Sequence, residues 1–569
     1  MGGTMRCEAW RIVGTAVLGS AAAALLLTGT TSASSATTHP YRTVTMIVRA
    51  MPGHQRAVSG ALAAAGGHVV RVLPIADSVV VRISPSAIPQ LRRSPDVAGV
   101  TPDAPLHFTS VDPTLGYDPS ADEGSLYEIT QIIGAQDSWK AGYTGQGIDV
   151  ALIDTGVSPV PGLTSGNVVN GPDLSFDSQD PTLTNLDGFG HGTHMASLIA
   201  GRDAPAAPAA YADPTVFTGV APDARVVSIK IGAADGAADV SQVIAGIDWV
   251  VQHRHEPGFN IRVLSLSFGT DSTQDYRIDP LAYAAERAWR AGIVVVVAGG
   301  NDGTSRKVLA DPAMDPLVLA VGASDPGGTI TPSDDTVPSF ATRGNTRRHV
   351  DLVAPGVHVL GLRSPGSYVD TQYPDAQVGT RFVRGSGTSQ ATAITAGAVA
   401  LFLQRYPTAT PDQVKRAFML KAVPLKSVRF TYRGSGSVQV RRAELGKLDR
   451  NASQPLTLDG TGIGSIEKAR GSAHVTDGDV ELTGEQDIFG APWIGSLWAT
   501  AAGLGTSWTD GTWNGNAWTG TGWSGSSWTS QTWAPATWTM STWAGRRWTN
   551  DDWTGRRWTG GAWAIGAWR

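Results

Sequence analysis

Three short stretches of the chain carry side chains that could act together in hydrolysis. Asp154 ends the apolar run VALID and is followed by a glycine turn. His191 and His194 open the small-residue stretch HGTHMASLIAG, and Ser389 follows the glycine-rich turn RGSGT. This set supplies what nucleophilic catalysis requires, namely a hydroxyl that attacks, a base that takes its proton and an acid that orients the base.

Each stretch taken alone also has an ordinary structural explanation. An aspartate before a glycine is common in turns, and a serine at the start of a helix is most often a cap. Two histidines spaced as in His191 and His194 are a weak metal signal, because the HExxH arrangement with its glutamate base is absent from the stretch. A metallohydrolase that uses these two histidines is therefore one alternative hypothesis.

Taken in their order along the chain, the three stretches resemble the subtilisin-like serine proteases. Two further stretches match the same family. In VVVVAGGNDG, Asn301 falls at the family's oxyanion-hole asparagine. In VLSLSFG, Ser267, Phe268 and Gly269 fall on the strand that pairs with the bound peptide. The resemblance covers roughly residues 128–423, more than half of the chain.

The resemblance implies a role for each of these residues. Ser389 would be the nucleophile, His191 the general base, and Asp154 the carboxylate that orients the imidazole. Asn301 and the backbone N–H of Ser389 would donate to the oxyanion. After the serine the family usually reads Met-Ala-Ser-Pro-His, whereas this chain reads QATAI, a difference that removes no proposed catalytic group.

These residues must be positioned by a scaffold, and the strand pattern predicts which one. Five apolar runs alternate with helix-length amphipathic segments: IDVALID, ARVVSIKI, IRVLSLS, GIVVVVAGG and LVLAVGA. This pattern is typical of an α/β fold with a mostly parallel sheet buried on both faces. Thr410, Pro411 and Gln413 predict a capped helix start. That helix is expected to close a peptidase domain spanning residues 120–423.

The part of the chain before this domain indicates export and a pro-segment. Residues 1–36 have the basic start, apolar run and small residues of a signal peptide, with a membrane anchor as the alternative. Residues 41–108 predict a small α+β, ferredoxin-like domain of β-α-β-β-α order closed by a short strand. The resemblance implies that this domain is an inhibitory propeptide, cut from the enzyme between about residues 106 and 118. The alternative is a free-standing domain that remains attached.

The part after the domain is expected to be β-rich over residues 424–490, without an assigned role, and repetitive over residues 491–569. Of the 19 tryptophans in the chain, 15 lie between Trp493 and Trp568, five residues apart with few exceptions, in paired units of ten. Five residues turn a helix by about 500°, so a helix would scatter the rings. Three hypotheses are kept: short stacked strands, an aromatic surface that binds cell wall or polysaccharide, and disorder.

Composition limits the remaining function classes. A net charge of −5 over 569 residues gives no basic footprint for nucleic acid. The single cysteine, Cys7, lies in the signal segment, so the exported chain has no disulfide and no thiol nucleophile. No cofactor or metal is required, and Asp203 and Asp213 offer too few oxygens to predict a structural calcium site.

The sequence therefore predicts a secreted serine endopeptidase, made as a zymogen, that acts on protein or peptide substrates and is extracellular or attached to the cell wall. The competing hypothesis is an inactive, protease-like protein of the cell surface that binds through its tryptophan-rich tail.

Overall fold

The computed structural model describes residues 43–73, 77–102, 116–180, 182–203, 207–303, 306–477 and 480–517. It divides the chain into two compact units, residues 1–107 and 108–569. The predicted signal peptide, most of the predicted cleavage region and the tail from residue 518 onward lie outside the described residues.

The first unit is a four-stranded antiparallel sheet with two helices. Its strand order is β2-β3-β1-β4. The elements are β1 Val44–Ala50, α1 Gln55–Ala64, β2 His68–Leu73, β3 Ser78–Ile83, α2 Ile88–Arg92 and β4 Val97–Pro102. Val48, Leu62, Val81 and Ile83 are buried in a core of the unit's own. The predicted β-α-β-β-α order with its closing strand is thus confirmed.

The second unit is built on a seven-stranded parallel sheet, in the order β11-β10-β9-β8-β5-β7-β6. Its strands are β5 Asp149–Asp154, β6 Val168–Asp173, β7 Arg225–Lys230, β8 Ile261–Leu266, β9 Val294–Ala298, β10 Leu319–Ser324 and β11 Leu352–Pro355. β5, β9, β10 and β11 are buried along their whole length, as expected for strands covered on both faces. The predicted α/β architecture is confirmed.

Helices and three small antiparallel sheets complete the described part of this unit. The helices are α3 Leu126–Ile132, α4 Ala135–Lys140, α5 His191–Ala200, α6 Val240–His253, α7 Pro280–Arg290, α8 Tyr368–Gln372, α9 Thr388–Arg405, α10 Pro411–Lys421, α11 Phe430–Arg433, α12 Val440–Leu445, α13 Ile466–Arg470 and α14 Gly495–Leu504. The short strands are β12 Val359–Leu362, β13 Gln377–Val378, β14 Phe382–Gly385, β15 Thr476–Asp477, β16 Val480–Glu481, β17 Trp508–Thr509, β18 Thr512–Trp513 and β19 Asn516–Ala517. α10 begins with the predicted capping box of Thr410 and Gln413.

Two predictions about the C-terminal part were wrong. Residues 424–490 are not β-rich, since their described residues form α11, α12, α13 and one hairpin of two-residue strands. The unit also does not end near residue 423, because Val438, Ile466, Ile488 and Trp498 belong to the same buried core as the parallel sheet. Packing against that core, rather than strand pairing, organises these residues.

The first tryptophans of the repeat tail are anchored on α6. The indole N–H groups of Trp498 and Trp513 both donate to Oδ2 of Asp248, each over 2.9 Å. The indole N–H of Trp508 donates to the carbonyl of Ala245 over 2.8 Å. Trp513 is fully buried. The start of the tail is therefore part of the second unit.

The five-residue spacing has a structural explanation in these strands. β17 and β18 are joined by Asp510-Gly511, and β18 and β19 by Asn514-Gly515. All four of these residues have positive φ, between 49° and 79°. This is the conformation of two-residue type I′ hairpin turns, for which Asp-Gly and Asn-Gly are preferred. Because the two-residue turn at residues 510–511 closes a hairpin, Trp508 and Trp513, which are five residues apart, lie opposite each other across β17 and β18. For residues 508–517, the prediction of short strands joined by turns is confirmed, and the strands pair as an antiparallel sheet.

Asp248 makes the unfolding of this unit depend on pH. Burial raises the pKa of its carboxyl to about 6, against the hydrogen bonds from Trp513, Trp498 and Ser507. An unfolded aspartate titrates near about pH 3.9. Because the folded carboxyl keeps its proton to a higher pH, the free energy of unfolding falls as the pH rises between these two values and stays lower above them.

We therefore expect Asp248→Asn to raise the free energy of unfolding at about pH 8 by about 1–3 kcal/mol, because the amide keeps an oxygen for the indoles and carries no charge. The fall in stability between about pH 4 and pH 6 should also become smaller. Denaturant unfolding of the variant and the wild type at about pH 4, pH 6 and pH 8 measures both effects. Asp137→Asn, at an exposed position of α4, is the matched control. Equal stability of Asp248→Asn and the wild type at the higher pH would contradict the expectation.

Candidate active site

The predicted catalytic stretches meet at one edge of the parallel sheet. β5 ends at Asp154, β8 ends one residue before Ser267, and β9 ends three residues before Asn301. These three strands are neighbours in the sheet. α5 begins at His191. α9, which packs against α5, has Ser389 as its second residue. The carboxyl edge of an α/β sheet is where such folds place their sites.

Asp154 and His191 form a buried pair. Nδ1 of His191 lies 2.5 Å from Oδ1 of Asp154, and both side chains are shielded from solvent. The same carboxylate oxygen accepts the backbone N–H of Thr155 over 2.8 Å. A carboxylate at Nδ1 fixes the proton there, so the other ring nitrogen, Nε2, presents its lone pair. This is the form of imidazole that can act as a base.

Asp187, which the sequence analysis did not single out, holds the start of α5 in place. One of its oxygens accepts the backbone N–H of Gly190 over 2.6 Å and the hydroxyl of Thr155 over 2.8 Å. Its other oxygen accepts the backbone N–H of Thr193 over 2.7 Å. Burial raises the pKa of this carboxyl in spite of those donors. Asp187 thus links the turn after β5 to the helix that carries the imidazole. Its only sequence signal is its place four residues before His191.

The turn after β5 also lies directly against the first turn of α5. The backbone N–H of Gly192 donates to the hydroxyl of Thr155 over 2.9 Å. A Cβ on Gly192 would lie 2.0 Å from the carbonyl oxygen of Gly156. Only glycine allows this approach, and the approach fixes His191 relative to Asp154.

Ser389 is not a helix cap, so that alternative for its role was wrong. The cap position of α9 is Gly387, and no side chain caps the helix there. The hydroxyl of Ser389 donates instead to the carbonyl of Ser267 over 2.7 Å. Ser389 lies in the first turn of an 18-residue helix, where backbone N–H groups lack partners within the helix and the dipole is positive. Negative charge that develops beside this residue is stabilised.

Asn301 is oriented by the residue before the serine. Its Oδ1 accepts the backbone N–H of Thr388 over 2.9 Å and the Thr388 hydroxyl over 3.0 Å. Because the backbone N–H can only donate, the acceptor must be the amide oxygen. The amide nitrogen, Nδ2, is thereby available as a donor on the other side of the carboxamide.

One cleft is lined by Ser389, Asn301 and the three predicted substrate-binding residues Ser267, Phe268 and Gly269. The sequence placed these three on a strand, but β8 ends at Leu266 and they continue beyond it. Asp154 and His191 are buried and do not line this cleft. The structure thus groups the nucleophile candidate with the residues predicted to donate to the oxyanion and to bind the peptide.

His194 lies in the core beside this site. Burial, together with the neighbouring His191, lowers the pKa of His194 to about 3, so the ring is neutral. Its Nδ1 lies 3.4 Å from Nε2 of Gln390 on α9. A Cβ on Gly361 would lie 2.0 Å from the His194 ring, which shows how closely the ring is packed. In the described ranges, no group of three or more His, Cys, Asp or Glu side chains is arranged to hold a metal ion.

Comparison with known proteins points to the same family as the sequence motifs. Residues 145–462 match the model of the subtilase family. The chain is 38% identical to serine protease AprX of Bacillus subtilis (strain 168) over 278 residues, 48% of this chain and 60% of that protein. It is 29% identical to the minor extracellular protease Epr of the same organism, covering 61% of this chain and 46% of that protein. It is 32% identical to subtilisin DY of Bacillus licheniformis, covering 55% of this chain and 96% of that protein. The chain therefore spans less than two thirds of the length of the first two relatives.

Replacing Asp187 tests whether its carboxylate positions the imidazole. Asp187→Asn leaves one oxygen where two now accept, so a buried backbone N–H of α5 loses its partner. We expect the free energy of unfolding to fall by about 1–3 kcal/mol, measured by denaturant titration. We also expect the rate of peptide cleavage to fall, because the base is displaced.

Asp213→Asn is the matched control, since Asp213 accepts the N–H and hydroxyl of Thr215 in an exposed turn. The assignment is wrong if Asp187→Asn is no less stable than this control.

Proposed function

The chain belongs to the subtilase family, a family of serine endopeptidases, and from that premise we propose that it cleaves peptide bonds in proteins through an acyl-enzyme. The observation that carries the proposal is the grouping of Ser389 and Asn301 in one cleft at the sheet edge where Asp154 holds His191. A hydroxyl, a base with a fixed tautomer and an oriented amide donor are the parts that acyl transfer needs.

In the proposed reaction, Oγ of Ser389 attacks the carbonyl carbon of the substrate while Nε2 of His191 takes the hydroxyl proton. The resulting imidazolium passes that proton to the leaving amine, and the C–N bond breaks to give an ester on Ser389. His191 then takes a proton from water, whose oxygen attacks the ester carbon, and the imidazolium gives that proton to Oγ of Ser389 as the ester C–O bond breaks. Asp154 remains ionised and stabilises the imidazolium.

The hydroxyl of Ser389 must turn before it can attack, because it donates to the carbonyl of Ser267 in this structure. A peptide that pairs with residues 267–269 supplies its own N–H groups to backbone carbonyls there. We expect such a peptide to compete for the carbonyl of Ser267 and to release the hydroxyl toward His191. Substrate binding then activates the nucleophile.

The oxyanion of the tetrahedral intermediate is assigned to two donors. The first is Nδ2 of Asn301, whose orientation Thr388 fixes. The second is the backbone N–H of Ser389 at the start of α9. Donors fixed before the reaction lower the barrier without reorganisation.

Export and zymogen activation belong to the same proposal. The relative Epr is named an extracellular protease, and residues 1–36 have the pattern of a signal peptide. The separate fold of residues 43–102 supports a pro-segment with its own core. Among the helices in the described ranges, none has the length and apolarity needed to cross a membrane.

Ser389→Ala tests the proposed nucleophile. Wild-type protein, allowed to process, should clear casein and react covalently with a fluorophosphonate probe. Ser389→Ala should do neither, while its far-UV circular dichroism stays unchanged. Ser496→Ala, at an exposed serine of α14, should be labelled like the wild type.

A processed wild-type protein that is neither labelled nor active on casein would remove the protease proposal. It would favour instead the hypothesis of a surface protein that binds through its tryptophan-rich tail.

A further inference from the structure

The substrate cleft has a wall that comes from far along the chain. Ala473 lines the cleft together with Ser389 and Asn301. It belongs to a stretch of residues 466–491, here called the flanking segment, which starts with α13 and includes the β15–β16 hairpin. The side chain of Ala473 is half-buried, so it faces the cleft on one side and protein on the other.

A buried ion pair fixes the flanking segment to the cleft. The side chain of Arg470 is fully shielded, and its Nε lies 2.6 Å from Oδ1 of Asp239. Asp239 itself lines the cleft and caps α6, accepting the backbone N–H of Ser241 over 2.8 Å. Burial opposes ionisation of Asp239, but Arg470 and the hydrogen bonds of Ser241 outweigh it and lower the pKa of Asp239. A pair this deeply buried cannot exchange for water at low cost.

Arg470 also organises the segment from within. Its guanidinium donates to the carbonyls of Gly484 and Gln486 and pairs with Glu467. The Arg470 side chain thus joins α13 to residues 484–486 of the segment, and it joins both of these parts to α6. The flanking segment is therefore a folded part of the cleft wall, fixed to α6.

A second set of contacts holds the residues next to Ala473. The hydroxyl of Thr270, another cleft residue, donates to the carbonyl of Ala469 over 2.5 Å. Asp271 accepts the backbone N–H of Ser472 over 2.7 Å and its hydroxyl over 2.6 Å. The chain is therefore held on both sides of Gly471, and the position of Ala473 is determined by the protein before any substrate arrives.

The strand order places this wall at one end of the cleft. Phe268 follows β8. On one side of β8 lies β9, which leads to Asn301, and on the other side lie β5 and then β7. The end beyond Phe268, reached from β7 and α6, is apolar, with lining side chains Ile231, Ala238, Val240 and Val243. Since Arg470 ties the segment to Asp239 at the start of α6, Ala473 belongs to this end. A peptide residue whose side chain binds at this end is therefore a different residue from the one that lies beside Asn301.

We propose that the flanking segment, through Ala473, determines which apolar side chains of a peptide substrate fit the α6 end of the cleft. This inference rests on the proposed endopeptidase function. Alanine leaves room for a large apolar side chain among Ile231, Val240 and Val243, and a longer residue at 473 would fill that room. The preferred substrates carry a large apolar residue, such as Leu or Phe, at that position.

Two opposite substitutions test the proposal. Ala473→Leu fills the end of the cleft and Ala473→Gly enlarges it. The measurement is kcat/KM for peptides that differ only in carrying Ala, Leu or Phe at each position on either side of the cleaved bond. For Ala473→Leu we expect the preference for Leu and Phe over Ala to fall by about tenfold or more at one position remote from that bond. For Ala473→Gly we expect the preference at the same position to shift toward Phe.

Controls separate this proposal from the function on which it rests. Thr483→Leu adds an apolar side chain at an exposed position of the same segment and should leave the preference unchanged. The rate of fluorophosphonate labelling reports Ser389 alone, and it should be equal in all variants. Unchanged preferences in both Ala473 variants, with normal labelling, would overturn the proposal. Loss of labelling in the wild type would refute the endopeptidase function instead.

Discussion

The hydrogen bond between Asp154 and His191 is the interaction on which the site depends, and both groups are shielded from water. In a low-dielectric surrounding such a bond is strong, but either group left alone there would be costly. The fold therefore has to bring the end of β5 and the start of α5 together with little freedom. Asp187, Thr155 and the close approach of Gly192 to Gly156 accomplish this.

The same physical problem recurs on α6, where side chains from the C-terminal part satisfy buried carboxylates. Asp239 is compensated by Arg470, and Asp248 by the indoles of Trp498 and Trp513. Removing these partners would leave two acids buried at one helix. The C-terminal residues that include Arg470, Trp498 and Trp513 are thus required to give these two buried carboxylates their partners. This explains why one core runs from the parallel sheet to Trp513.

Much of the fold could be predicted from the sequence because its signals are local. Continuous apolar runs mark the buried parallel strands, and Thr410 with Gln413 marks a helix start. The candidate site followed from five ordered stretches. Asp187 could not be predicted, since an aspartate before a glycine has the same local signal in any turn. The region 424–490 was misjudged because its residues form few strand pairs and pack instead as short helices, with α12 on α9 and α10 and α13 on α6 and α7. The period of the tail was visible in the sequence, but the pairing of Trp508 with Trp513 across a hairpin became apparent only with the turn at Asp510-Gly511.

An endopeptidase is itself a polypeptide, and every loop on its surface is exposed to neighbouring copies of the enzyme. A cleft that pairs with peptide backbone accepts chain only in an extended and unpaired form. In the described part of the flanking segment, side chains bind the backbone groups of Ala469, Ser472, Gly484 and Gln486, so these residues are not presented in that form. Local opening would have to break the Arg470–Asp239 pair before those bonds could be cut. In the proposed endopeptidase, the Arg470–Asp239 pair would therefore also protect these residues from autolysis.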